Sequence, residues 1–172
     1  AWEPVAGRRA AAAAVVMGLG LGGLLRPSGA SAMSDKDKAR VRKGIENIGN
    51  LVDNFEEATT VCNPDCARNP DAVRGVLGLR DLENPLFQID KVLLKSQNDI
   101  DSDKSDEFQE ALENWNSAVA GVNGEAFISS FGEYNPGGGQ DQVNKYLERS
   151  RDQAKLAKGY LEVMAKDLGI NY

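Results

Sequence analysis

Two cysteines, Cys62 and Cys66, stand four residues apart in the string Cys-Asn-Pro-Asp-Cys. In an exported protein, cysteines at this spacing are most economically joined in one local disulfide that fixes the turn between them. The spacing differs from the Cys-x-x-Cys of redox dithiols and from the Cys-x-x-Cys-His of covalent haem attachment, so a catalytic dithiol is the weaker alternative. Two thiolates without histidine are too few ligands for a structural zinc ion.

The sequence contains no histidine, and this absence excludes several kinds of site. Ferritin-like di-iron centres need Glu-x-x-His pairs, haem bundles need an axial histidine, and zinc hydrolases nearly always use imidazole ligands. A nucleophile activated by histidine is excluded for the same reason. We therefore predict that the protein is not an enzyme and that it holds no metal or other cofactor.

An acidic run between Asp99 and Glu110 begins like a calcium-binding loop, with aspartates at alternate positions. It lacks the glycine that such a loop needs at its sixth position, where Lys104 stands. Calcium binding is therefore a weak alternative. A solvated loop that leads into a helix N-terminus, where acidic residues are favourable, explains the run better.

A basic run opens the first predicted helix. Its members are Lys36, Lys38, Arg40, Arg42 and Lys43. Cations at a helix N-terminus oppose the helix dipole, at a cost of up to about 1 kcal/mol per charge. Two interpretations stay open: an ordinary solvated face, or a basic patch that docks on an acidic surface or on anionic lipid. The formal net charge of −6 argues against general nucleic-acid binding, which depends on neutralising phosphates.

Apolar residues at heptad spacing predict the helices that carry these groups. The longest seam runs from Val143 to Leu168, where a helix ends at Gly169. Shorter seams predict helices over 33–60, 85–98 and 105–123, the third ended by Gly121 and Gly124. The seam residues are Val41, Ile45, Ile48, Val52, Phe55 and Thr59; Leu86, Ile89, Val92 and Leu93; Phe108, Leu112, Trp115, Val119 and Val122; and Val143, Leu147, Ser150, Ala154, Ala157, Leu161, Met164 and Leu168.

Helices with this spacing pack at about +20° into bundles. We therefore predict an all-α, up-down-up-down four-helix bundle over residues 33–172, with a long first loop from Val61 and a short extra helix that Asn69-Pro70 opens. Phe127, Phe131 and Tyr134 follow the third predicted helix. They are expected to cover one end of the bundle as a lid, with contact to a partner as the alternative.

Residues 1–32 are typical of a targeting leader. Arg8-Arg9 precedes an uncharged run from Ala10 to Leu25, and Ala30-Ser31-Ala32 fits an A-x-A cleavage site. Paired arginine before a weakly apolar core is typical of twin-arginine export across a bacterial inner membrane or a thylakoid membrane. The alternative is a short membrane anchor that is retained.

The order of these features resembles the PsbQ-like family, the extrinsic subunits of photosystem II in the thylakoid lumen. The strings Val61-Cys62-Asn63-Pro64, Asn69–Arg74, Asn84-Pro85-Leu86 and Ile89-Asp90-Lys91 are similar to the cysteine-bearing members of diatoms and other red-lineage algae. The resemblance covers roughly residues 35–170.

The resemblance implies a non-catalytic adaptor in the chloroplast thylakoid lumen. Such a subunit covers the lumenal side of photosystem II, retains calcium and chloride at the oxygen-evolving centre and helps other extrinsic subunits dock. Family members dock through basic residues, which implies the run Lys36–Lys43 first and Lys155, Lys158 and Lys166 second. The expected partners are the photosystem core and other extrinsic subunits, with the membrane reached through that complex or a retained leader, and without self-oligomers or nucleic acid. A lumenal linker between photosystem I and its antenna, and a lumenal or periplasmic ligand carrier, are the alternatives.

Overall fold

A computed structural model describes residues 33–134 and 137–172, so the predicted leader lies outside the described residues. This part of the chain is mostly helical, which confirms the predicted class. Its α-helices and strands are α1 (Asp35–Asp53), α2 (Phe55–Ala58), β1 (Thr60–Cys62), β2 (Cys66–Arg68), α3 (Pro70–Val76), α4 (Ile89–Ser96), α5 (Ser105–Ser130) and α6 (Gln140–Asp167). Short 3₁₀ turns cover Gln97–Asp99 and Gly132–Tyr134. Within the described ranges, no helix is both long enough and apolar enough to cross a membrane.

Helix α1 ends earlier than its seam predicts. Its first residues are capped by Ser34, whose Oγ accepts a hydrogen bond from Asp37 N at 3.1 Å. The helix stops at Asp53, because Asn54 leaves the helical region before α2 resumes at Phe55. Phe55 and Thr59 are nevertheless buried, so the seam continues across the break.

The predicted first loop contains a small antiparallel hairpin that the sequence did not predict. Strands β1 and β2 pair with Cys62 directly opposite Cys66, and the predicted disulfide between these cysteines is confirmed. Asn63 N donates to Asp65 O at 3.0 Å inside the turn. The disulfide and the three-residue turn together hold the strands in register.

Helix α4 begins later than the sequence predicts. Asn84, which we expected to cap a helix starting at Pro85, accepts from Leu86 N at 2.8 Å and donates from Nδ2 to Gly75 O at 2.9 Å. These bonds hold a turn over residues 84–87, and the α-helix starts only after Gln88, whose φ is +52°. Asn69 by contrast caps α3 as predicted, through a 3.1 Å bond from Asp71 N.

Gly78 lets the chain after α3 pass close to the turn over residues 84–87. Its φ is +74°, and a Cβ there would lie 2.6 Å from the backbone carbon of Leu86. Gly44 on α1 plays a similar part, because a Cβ at that position would collide with the side chain of Leu86. Leu86 is therefore buried against α1 at a point where only glycine leaves room.

Helix α5 runs through both glycines that were predicted to end it. The prediction of an end at Gly121 and Gly124 is wrong, because Val122, Ala126 and Ser129 are all buried. Burial of this face outweighs a cost of about 1 kcal/mol for each helical glycine. The continued helix turns Phe127 and Phe131 outward.

The predicted lid is consequently wrong. Phe127, Phe131 and Tyr134 are 52%, 48% and 82% exposed. The two phenylalanine rings pack edge to face, with their centroids 5.0 Å apart, but they do not cover the core.

The long helices pack in antiparallel pairs. Ser129 Oγ donates to Val143 O at 2.8 Å, and Gly121 lies beside Gln153, so α5 and α6 run in opposite directions. Arg151 donates to Val52 O at 2.8 Å, and Lys158 lies beside Gly49, which makes α1 antiparallel to α6 as well. The start of α1 and the end of α6 therefore lie at the same end of the molecule.

The heptad seams form the core. All seam residues are buried except Val52, Val92, Val119 and Leu168, which are partly buried and packed against the core. Ser150 is fully buried and donates its hydroxyl to Leu147 O at 2.7 Å, which satisfies it inside the helix.

The predicted end of the last helix is confirmed in detail. Gly169 has a φ of +66°, its N–H donates to Lys166 O, and Ile170 N donates to Ala165 O at 2.8 Å. This bond pattern is a Schellman motif, and the buried Ile170 supplies its hydrophobic contact.

Candidate docking site

The predicted docking cations divide between two faces of α1. Gly49 contacts Lys158 of α6, and Arg42 lies seven residues before Gly49, on the same side of the helix. Lys38 lies a further four residues back on that side. Lys36 and Lys43 are seven residues apart on a different side, so the basic run is not one patch.

The α6 cations extend the first of these faces. Lys155, Lys158 and Lys166 fall on one side of α6 because they are spaced by three and eight residues. Lys158 lies at the contact with α1. We call the surface formed by Lys38, Arg42, Lys155, Lys158 and Lys166 the α1–α6 face.

The charges of the α1–α6 face are only partly paired. Lys155 Nζ lies 3.0 Å from Asp152 Oδ1, and the half-buried Lys158 pairs with Glu162. Across residues 33–134 and 137–172, no carboxylate lies within 4.0 Å of the charged groups of Lys38, Arg42 or Lys166. These three cations are available to an acidic partner.

Arg40 has a different role. Its Nε donates to Pro85 O at 3.0 Å, one terminal nitrogen donates to Phe87 O at 2.6 Å, and the other lies 3.0 Å from Asp37 Oδ1. The guanidinium thus ties the turn before α4 to the start of α1. Arg40 therefore has a structural role, and its docking role stays a prediction.

Asp37 is held in its charged form at this junction. The hydroxyl of Ser34 donates to Asp37 Oδ2 at 2.7 Å, and this bond is the main reason why the pKa of Asp37 is lowered. Burial acts in the opposite direction, and Arg40 lowers the pKa further. The ionised carboxylate in turn orients Arg40 toward its two carbonyl acceptors.

The second face of α1 contains a pattern that the sequence prediction missed. Asn47, Asn50 and Asn54 continue the helical column of Lys36 and Lys43 at spacings of three and four. These amides line an open groove of about 700 Å³ between α1 and α3, together with Leu51, Glu57, Ala58 and Val76. The sequence contains this pattern as a second set of residues at heptad spacing, which falls on a different side of the helix from the apolar seam.

Two arginines lie against the ring of Phe55, the first residue of α2. The guanidinium carbon of Arg151 lies 5.3 Å from the ring centroid of Phe55, and that of Arg68 lies 5.9 Å from it. Arg68 belongs to β2, so the hairpin is attached to α2 through this aromatic ring.

The acidic region lies at the opposite end from the hairpin. Burial raises the pKa of Asp167, and repulsion by Glu107 raises it further. Within residues 33–134 and 137–172, no three histidine, cysteine, aspartate or glutamate side chains converge as ligands for a metal ion.

Comparison with protein-family models, with curated proteins and with solved structures found no match to this chain. The resemblance to the PsbQ-like family rests on the sequence strings and the order of features given above.

Proposed function

We propose that this chain is a non-catalytic, PsbQ-like extrinsic subunit of photosystem II that stabilises the oxygen-evolving centre and docks other extrinsic subunits in the thylakoid lumen. The observation that carries the proposal is the α1–α6 face, where Lys38, Arg42 and Lys166 stand without a carboxylate within 4.0 Å in the described ranges. Unpaired cations on one face of a net-acidic protein favour docking on an acidic partner.

The proposal includes the up-down-up-down four-helix arrangement. Its support is the antiparallel packing of α1 with α6 and of α5 with α6, and the path of α3 and α4 along α5. Arg74 of α3 donates to Asn123 of α5 at 2.9 Å, and Gln97 after α4 bonds Gln109 of α5 at 3.4 Å. In this interpretation α3 and α4 are two pieces of one interrupted second rod.

A well-packed core fits a subunit that works by docking and not by catalysis. The helices that carry the docking cations are joined through fully buried residues such as Ile48, Leu147 and Leu161. A well-packed core keeps such helices in fixed relation to each other. The cations are thereby presented to a partner in a constant arrangement, which reduces the entropy lost on docking.

Salt washing tests the proposal. The thylakoid membranes of the source organism are washed at increasing salt, and release of the protein is followed with an antibody while oxygen evolution is measured. We expect release by about 1 M salt, where the Debye length is about 3 Å, together with a loss of oxygen evolution that the purified protein restores.

Other results identify the alternatives. Release that leaves oxygen evolution intact would contradict the photosystem II assignment and favour the linker between photosystem I and its antenna. A coloured or metal-loaded protein purified from the membranes would favour a ligand carrier instead.

A further inference from the structure

We propose that the groove between α1 and α3 binds an extended segment of a partner protein through its main chain. This inference rests on the proposed docking function and identifies a second contact surface with its chemistry. We call the column Lys36, Lys43, Asn47, Asn50, Asn54 and Glu57 the amide track.

The side-chain amides of the track can pair with a peptide main chain. A primary amide offers both a carbonyl acceptor and an N–H donor, which are the two groups that a peptide unit needs. Among the described residues, Asn47 and Asn50 make no side-chain hydrogen bond, and Asn54 uses one N–H to donate to Asn50 O at 3.2 Å. Most of the hydrogen-bonding capacity of the track is therefore open to a ligand.

The spacing of the amides matches an extended chain. Three asparagines over seven residues of helix span about 10 Å, which is the length of about three residues of extended chain. The buried Leu51 and the partly buried Val76 form an apolar floor, against which alternate side chains of the segment can pack.

The charges determine how the segment is oriented. Lys36 and Lys43 stand on α1 before the amides, and Glu57 stands after them on α2. The complementary ligand therefore has an acidic residue at its Lys43 end and a basic residue at its Glu57 end.

The pairing of Lys43 does not block this site. Lys43 Nζ lies 3.0 Å from Glu46 Oε2, but both side chains are more than half exposed. An exposed pair of this kind contributes about 1 kcal/mol or less, so a partner carboxylate can replace Glu46.

Helix propensity does not explain the asparagines of the amide track. Asparagine is a poorer helix former than alanine, yet Asn47 and Asn50 occupy interior positions of α1 where their side-chain amides make no hydrogen bond within the described residues. Residues that run against local preference are expected at functional sites.

A phage library of random ten-residue peptides tests the inference on the full-length chain. Peptides are selected on the unmutated protein after depletion on Asn47→Ala/Asn50→Ala, and binding of the winners is measured by fluorescence anisotropy. We expect peptides with an acidic residue toward one end and a basic residue toward the other, whose binding falls about tenfold or more in the double variant.

Matched variants separate main-chain recognition from general surface effects. Asn98→Ala/Asn171→Ala removes two exposed asparagines elsewhere and should leave binding within about twofold, while N-methylation of alternate peptide amides should abolish it. Glu57→Lys should shift the selected consensus toward a second acidic residue.

Failure of this inference is distinguishable from failure of the proposed function. If every selected peptide binds the unmutated chain and Asn47→Ala/Asn50→Ala equally well, the groove inference is overturned. This holds whether or not the chain rebinds to thylakoid membranes. Rebinding of the unmutated chain to salt-washed thylakoids tests the proposed function independently of any peptide.

Discussion

At the scale of single residues, Arg40 and Arg42 show why residue type alone does not identify a docking group. Both belong to the same basic run, two positions apart. Arg40 bonds carbonyls of Pro85 and Phe87, whereas Arg42 is exposed and without a carboxylate partner within the described ranges. The acceptors of Arg40 lie some 45 residues further along the chain, so no local pattern could have predicted its role.

Replacing Arg40 should destabilise the fold. Arg40→Met keeps the apolar stem but leaves two partly buried carbonyls without their charged donor, and we expect a loss of about 2 kcal/mol in the free energy of unfolding. Urea unfolding followed by circular dichroism measures it. The control Arg42→Met should change stability by less than about 0.5 kcal/mol, and equal effects of the two variants would contradict the structural role of Arg40.

Asp167 should make stability depend on pH. Its raised pKa means that the folded state binds a proton more readily than the unfolded state, so its unfavourable contribution is present at neutral pH and fades as pH falls through the folded pKa. Asp167→Asn should therefore melt at a higher temperature than the unmutated protein at pH 7. The difference should vanish below about pH 3.9, the ordinary pKa of aspartate, and a difference that grows toward acid pH would refute this reasoning.

At the scale of secondary structure elements, periodicity predicted burial better than it predicted boundaries. The four seams gave the buried faces. Asn69 and Gly169 marked element ends correctly because each makes its cap itself, Asn69 through its side-chain oxygen and Gly169 through its backbone N–H. The sequence did not predict the helix ends that depend on tertiary contacts. Gly121 and Gly124 signal a helix end locally, but burial of Val122 and Ala126 beyond them keeps α5 continuous.

Two leucines of α6 test the seam directly. Leu147 is fully buried and Leu156 is 49% exposed, so they differ in environment but share one helix and one side chain. Leu147→Ala should cost about 2 to 5 kcal/mol, whereas Leu156→Ala should cost less than about 0.5 kcal/mol. Thermal melting compares them, and a near-zero loss for Leu147→Ala would contradict the described core.

At the scale of the whole molecule, the candidate site could be predicted only in part. The sequence identified the cations, but the side of α1 on which each stands matters only once α6 and α3 are placed against it. The position of Gly49 beside Lys158 assigns Lys38 and Arg42 to the α1–α6 face, while Lys36 and Lys43 lie on the side of α1 that carries the amides of the groove. A one-dimensional pattern contains no information about which neighbour covers which side of a helix.

We propose that the α1–α6 face holds this chain on an acidic partner in the lumen. Charge reversal tests it most directly, with Lys38→Glu/Arg42→Glu/Lys166→Glu compared with Lys91→Glu/Lys95→Glu/Lys145→Glu, which changes the net charge equally at exposed positions elsewhere. Rebinding of each purified variant to salt-washed thylakoid membranes is measured together with oxygen evolution. We predict that the α1–α6 variant melts normally but fails to rebind or to restore oxygen evolution, while the control does both; equal rebinding of the two variants would contradict the claim.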